Sequence, residues 1–115
     1  MAKKYKIAVS DTVPVLVKAT IADEHGKLVS HKFTLTCERR DAEQMKDVVS
    51  GSFNARDFMK EVTTGWEGQR LVLEEDGKTP AAFEPDALDA LLNIGGLAMV
   101  CFIAYGKDSA ALAKN

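Results

Sequence analysis

Two neighbouring segments of the chain alternate between apolar and polar residues, and this alternation limits the fold more than any other feature. From Val13 to Ala22 the odd positions are apolar, with a bias to β-branched residues. From Val29 to Cys37, apolar residues and His31 alternate with serine, lysine and threonine. Because successive strand residues face opposite sides of a sheet, each segment predicts a strand with one buried face. Gly26 lies between them and favours a turn, so we expect a long antiparallel hairpin.

The residues after the hairpin predict helices that cover its apolar face. Asp41 and Gln44 have the spacing of a capping box at the start of a first helix, and Gly51 is its expected stop. Asn54 is the expected cap of a second helix, which we expect to end at Gly65. Two strands alone are marginally stable in water, so the hairpin needs this cover.

The C-terminal half predicts one further strand and two further helices. Residues 69–74 contain consecutive apolar residues and predict a short strand. Pro85 is expected at the first position of a third helix, and Gly95 and Gly96 end it. From Leu97 the chain is apolar at nearly every position, so a helix here would be apolar on nearly all of its sides, which favours a buried helix over a strand.

These elements predict a single α+β domain in which an N-terminal antiparallel hairpin or small sheet packs against several C-terminal helices. Residues 1–40 are expected to be mainly β, and residues 41–115 mainly α with the short strand near 69–74. The length of 115 residues suits one domain with a real core.

Charge and hydropathy argue against nucleic acid and membrane partners. The formal net charge is −2, without the basic excess that phosphate binding requires. No apolar stretch approaches the roughly 20 residues that span a bilayer. We see no signal peptide and expect a cytoplasmic protein.

The chain offers few residues for catalysis or metal binding. Its two histidines, His25 and His31, do not stand at metal-ligand spacings. Cys37 and Cys101 lie in apolar stretches and are interpreted as buried free thiols, although a disulfide is possible. Arg39 stands near Cys37 and could lower its pKa. We therefore predict no catalytic residue, no metal site and no cofactor.

The single tryptophan, Trp66, follows Gly65 in a glycine-flanked position. It can lock the helices onto the sheet, or it can anchor a partner, since tryptophan is enriched at binding hot spots. Phe53 and Phe83 flank loops in a similar way. The three aromatic residues are the candidate partner-binding residues.

The stretch from Phe58 to Tyr105 resembles the tail assembly chaperone family of long-tailed bacteriophages and prophages. The resemblance rests on the order and spacing of several short motifs. One departure is Glu84, where serine or threonine would be the expected cap. The motifs are the pair Gly65–Trp66, the turn Glu75–Asp76–Gly77, the start Phe83–Glu84–Pro85, the pair Leu91–Leu92 and a final apolar helix containing Tyr105.

This resemblance implies a protein that binds the tape measure protein, keeps it soluble and helps to recruit tail tube subunits. It also implies self-association, a place in the cytoplasm of the bacterial host and absence from the finished particle. The alternative is a structural tail or neck component, such as a terminator or joining protein, that stays in the virion. A small enzyme is a third hypothesis, and the scarcity of catalytic motifs argues against it.

Overall fold

The N-terminal hairpin is formed as predicted. A computed structural model describes residues 8–50 and 54–110 of the chain. Strands β1 (Thr12–Ala22) and β2 (Leu28–Glu38) pair antiparallel over their whole length. In the turn between them the carboxylate of Asp23 accepts hydrogen bonds from two backbone amides. Gly26 has φ of 80°, a left-handed conformation that glycine adopts without strain.

One face of the hairpin forms the sheet side of the core. Towards the turn, the same face is only half-buried at Ala19, Ile21, Val29 and His31. We call this turn-side half, residues 18–32, the arm. At about 3.4 Å per residue, the arm extends roughly 15 Å from the core half of the hairpin. The fully buried residues of the core half are Val13, Val15, Val17, Phe33, Leu35 and Cys37.

The sheet contains a third strand that sequence reasoning missed. Strand β3 (Thr63–Glu67) pairs antiparallel with the core half of β2, so the strand order is β1–β2–β3. The predicted second helix ends at Val62 rather than at Gly65, and Gly65 lies within β3 opposite Thr36. The β-branched pair that opens β3 favours a strand, and pairing with β2 outweighs continuation of the helix. The hydroxyl of Thr64 donates to the carbonyl oxygen of Thr36, 3.2 Å away, where the register shifts.

The short strand predicted near residues 69–74 is not formed. The segment is a loop, and Leu73 forms an isolated antiparallel β-bridge with Pro80. The side chain of Gln69 accepts the amide hydrogens of two following residues. Because side-chain bonds of this kind compete with a ladder, consecutive apolar residues here do not make a strand.

Helices complete the fold, and their starts agree with the predicted caps. They are α1 (Ala42–Ser50), α2 (Ala55–Val62), α3 (Pro85–Leu92) and α4 (Leu97–Ser109). Asp41 and Gln44 exchange the two bonds of a capping box, at 2.8 and 2.9 Å. Asn54 caps α2, while Glu84 before α3 makes no side-chain capping bond. The stop predicted at Gly51 lies outside the described residues.

Helix α4 is buried on one face only, although its apolar sequence predicted burial nearly all round. Leu97, Cys101 and Tyr105 recur every four residues and are buried. Met99 and Ile103, also four residues apart, are exposed. The sheet and the neighbouring helices contact one side of α4, so Met99 and Ile103 on the opposite side face solvent.

Tyr105 connects α4 to the junction between the sheet and α1. Its hydroxyl donates to the carbonyl oxygen of Glu38 at 2.9 Å and accepts from the amide of Arg40 at 3.0 Å. Its ring packs edge-on against Phe58, with centroids 5.2 Å apart. These contacts join the three-stranded sheet and the helices around one core, and the predicted single α+β domain is confirmed.

Candidate partner-binding surface

Two of the three aromatic residues predicted to bind a partner lie together. Trp66 stands in β3, and Phe83 comes just before α3. Their rings meet edge-on at 5.2 Å, and the indole N–H donates to the carbonyl oxygen of Ala81 at 3.1 Å. Both side chains are half-buried and pack against the core, which favours the packing role for Trp66. Phe53 lies outside the described residues, and partner binding by these residues stays a prediction.

Gln69 holds the loop beside this aromatic pair, and sequence reasoning missed it. Its side chain is buried. Its Nε2 donates to the carbonyl oxygens of Val72 and Ala81 at 2.9 and 3.2 Å. Its Oε1 accepts from the amides of Leu71 and Val72 at 3.0 and 2.8 Å. Glutamine is mostly exposed in proteins, so no sequence signal marks this one as buried.

An exposed apolar surface runs along α4 and onto β1. Met99 and Ile103 lie about one helical turn apart, and 48% and 64% of each residue remains exposed. Leu16 of β1 is 40% exposed and lines the same shallow depression as Val100 and Ile103. We call Leu16, Met99, Val100 and Ile103 the α4 ridge. Single exposed apolar residues are common, but a contiguous group is typical of an interaction site.

Charged side chains surround the α4 ridge. Lys18 and Lys107 line the same depression and are exposed. The carboxylate of Asp108 accepts a hydrogen bond from the amide of Leu16 at 2.8 Å. This bond holds the Asp108 carboxylate at the outer edge of β1. This bond also satisfies an edge amide that would otherwise be open to another strand. The two lysines suit a partner that carries acidic residues beside its apolar face.

The reactive side chains considered in the sequence do not converge. His31 and Cys37 share a face of β2, but their separation of six residues is about 20 Å along a strand. Burial raises the pKa of the Cys37 thiol from 9.0 to about 11, and a hydrogen bond with Thr63 only partly offsets this rise. Burial likewise raises the pKa of Cys101 to about 12. Both thiols are neutral at pH 7, and Arg39 does not make Cys37 reactive.

Metal sites and membrane spans are also not found in the part of the chain that the structure describes. Within residues 8–50 and 54–110, no group of three His, Cys, Asp or Glu side chains is arranged to hold a metal ion. No single helix of these ranges is long and apolar enough to cross a membrane. Helices α3 and α4 meet those criteria only when combined, and the break between them bends the pair by 103°.

Comparison of the chain with protein families, curated proteins and solved structures returns no significant match. Several residues that carry the resemblance to tail assembly chaperones have packing positions in the structure. Trp66 and Phe83 contact each other, and Leu91 and Leu92 are buried. The resemblance therefore concerns residues that hold the fold, and the α4 ridge lies on the last helix of the same stretch.

Proposed function

We propose that this protein binds apolar helical segments of a partner and keeps that partner soluble, as expected of the tail assembly chaperones it resembles. The partner is then the tape measure protein, with tail tube subunits recruited to the same complex. The observation that carries the proposal is the α4 ridge, an apolar surface left exposed on a domain that already has a complete core.

The spacing of the ridge suits a helical partner. Met99 and Ile103 are four residues apart, so their side chains lie one above the other on α4. Rows of this spacing fit between the side chains of a second helix, which is the usual way helices pack. A tape measure protein is long and helical and presents apolar faces that aggregate unless they are covered.

The size of the ridge implies weak binding by each copy. Full burial of a large apolar side chain contributes about 1.5–3 kcal/mol relative to exposure. The three most exposed ridge residues, Leu16, Met99 and Ile103, are already about half covered, so a partner adds roughly 2–4 kcal/mol in total. Association itself costs at least about 4 kcal/mol, so one ridge alone binds weakly. Stable coating of a long partner then depends on several linked copies.

The arm supports a second candidate, a tail or neck component that stays in the virion. Its apolar face is only half-buried at Ile21 and Val29. Strands exposed in this way are used to join subunits through backbone pairing. Mass spectrometry of purified particles separates the two candidates, because a chaperone is absent from them and a virion component is present.

Co-expression with the cognate tape measure protein tests the first candidate. We expect the wild-type chain to raise the soluble fraction of the tape measure protein and to co-purify with it. The double variant Met99→Gln, Ile103→Gln should lose both effects, because it removes the apolar contact while keeping two good helix formers. Leu73→Gln is the matched control, since Leu73 is exposed but lies in the loop after β3.

Two results would contradict the proposal. One is a soluble fraction of the tape measure protein that does not change on co-expression with the wild-type chain, whatever the salt concentration. The other is equal activity of the ridge variant and the wild type, with both chains folded by circular dichroism.

A further inference from the structure

Helix α4 carries a glycine in the middle of its exposed side. Gly106 lies three residues after Ile103 and seven after Met99, so the three residues share one face of the helix. All three are exposed, and the buried residues of α4 occupy the opposite face. Gly106 therefore continues the exposed row of Met99 and Ile103 towards the end of the helix.

Neither the backbone nor the packing of the described residues requires glycine at this position. Gly106 is helical and its φ is not positive, so its conformation is open to side chains of ordinary L-residues. A Cβ built here meets no atom of the described residues within 4 Å, apart from its two chain neighbours and the local backbone of α4. Glycine makes a helix less stable than alanine does. The contacts within the domain do not compensate this loss.

The missing side chain leaves a notch beside Ile103. Helical side chains lean towards the helix N-terminus, so a side chain at position 106 would cover part of the turn that contains Ile103. The distance between two packed helices depends on the side chains at their contact. Glycine permits the closest approach, so a side chain of a second helix fits the notch, between the positions that Ile103 and a residue at 106 would cover.

The charge beside the notch indicates the chemistry of this second helix. Lys18 and Lys107 line the same depression as Ile103, and no ion pair between described residues involves either lysine. Among the described residues that line the depression, Asp108 alone is acidic, and its carboxylate accepts the amide of Leu16. The notch therefore favours a helix that carries an acidic side chain next to its apolar face.

A second copy of α4 does not have this chemistry. Lys107 is the charged residue next to Gly106 on the exposed side of α4, while the carboxylate of Asp108 is held at β1. Two copies that cross at Gly106 would bring their Lys107 side chains to the same crossing. Like charges brought together in this way are unfavourable, so charge selects a different, acidic helix.

We propose that a helix of the partner crosses α4 at Gly106, with apolar side chains on Met99 and Ile103 and an acidic side chain beside Lys18 and Lys107. The inference rests on the proposed function, because it specifies how the α4 ridge recognises a segment of the tape measure protein. Gly106 selects the segment by how closely a helix can approach, and the two lysines select it by charge.

One added methyl group separates a binding role of Gly106 from a role in stability. Gly106→Ala should raise Tm by about 2–5 °C, because alanine is the better helix former. The same variant should bind labelled, overlapping peptides of the tape measure protein at least about fivefold more weakly in fluorescence anisotropy, because the Cβ obstructs the crossing. Without a close crossing, the methyl group would only enlarge the apolar surface, and binding would be unchanged or tighter.

Gly95→Ala is the matched control. Gly95 lies in the turn before α4, its φ is not positive, and an added Cβ meets no described atom within 4 Å there either. This variant should bind the peptides as the wild type does. If Gly106→Ala binds like the wild type while Met99→Gln, Ile103→Gln loses binding, the crossing at Gly106 is wrong and the proposed function stands. If the wild-type chain binds no peptide, both are wrong.

Removal of the two lysine charges tests the acidic requirement. Lys18→Gln, Lys107→Gln should weaken peptide binding roughly two- to tenfold and reduce its dependence on salt concentration. Lys27→Gln, Lys78→Gln is the control, since these lysines are exposed but do not line the depression. The peptides that bind should carry Asp or Glu within one helical turn of a large apolar residue. Equal salt dependence of the Lys18, Lys107 variant and the wild type, or a preference for basic peptides, contradicts the proposal.

Sedimentation velocity of the chain alone distinguishes a partner helix from a second copy. Gly106→Leu should leave the sedimentation coefficient of the purified chain unchanged, because no α4 of another copy occupies the notch, while it abolishes peptide binding. A change in the sedimentation coefficient of Gly106→Leu, with peptide binding retained, would assign the notch to self-association and overturn the proposal.

Discussion

Replacing Gln69 by leucine is expected to loosen the loop that carries Phe83. Leucine keeps the apolar bulk but removes four hydrogen bonds to the backbone of Leu71, Val72 and Ala81. A hydrogen bond contributes about 0.5–1.5 kcal/mol net, so the sum is roughly 2–6 kcal/mol. Leu71 and Val72 are half-buried, and water can replace part of the loss. We therefore expect a destabilisation of about 2–4 kcal/mol, or roughly 8–16 °C in Tm.

Urea and thermal unfolding measure this change. Trp66 is the single tryptophan and lies beside the loop, so its fluorescence reports the loop, while circular dichroism reports the whole fold. Arg70→Ala is the matched control, because Arg70 is exposed and adjacent, and it should change stability by less than about 0.5 kcal/mol. A change of that small size for Gln69→Leu would refute the argument that this side chain organises the loop.

Three further perturbations test the core. Tyr105→Phe leaves the carbonyl oxygen of Glu38 and the amide of Arg40 without the hydroxyl that bonds them. The free energy of unfolding in urea should fall by about 1–3 kcal/mol. Trp66→Ala should cost about 3 kcal/mol as a packing residue, whereas a partner anchor would leave stability unchanged and weaken tape measure binding. The thiols of Cys37 and Cys101 should react with iodoacetamide only after unfolding. The pKa of these thiols is near 9.0 in the unfolded chain and rises to about 11 and about 12 in the folded one, so the free energy of unfolding should fall as the pH rises above 9.0. Equal free energies of unfolding in urea titrations at pH 8 and pH 10 would contradict this.

The features that could be predicted from the sequence depend on neighbouring residues. The hairpin follows from period-2 alternation and a glycine-containing turn, both of which act within a few residues. The starts of α1 and α2 follow from caps at Asp41 and Asn54, whose side chains bond amides three residues on. The break between α3 and α4 follows from Gly95 and Gly96, and Gly96 has φ of 81°.

The features that were missed depend on contacts between distant residues. Strand β3 has five residues and owes its strand character to pairing with β2, about 30 positions earlier in the chain. The burial of Gln69 depends on Ala81, on the far side of the loop. The exposure of Met99 and Ile103 depends on which side of α4 meets the sheet, and an apolar sequence all round carries no such information. The candidate surface was therefore visible only after folding.

Met99 provides the most direct test of partner binding by the α4 ridge. It is 48% exposed in the free chain, whereas Met59 is fully buried and serves as an internal control. Peroxide converts exposed methionine to its sulfoxide, which peptide mass spectrometry measures residue by residue. In the complex with the tape measure protein, oxidation of Met99 should fall sharply while Met59 stays unoxidised throughout. Oxidation of Met99 at the same rate in the complex and in the free chain would contradict binding through this surface.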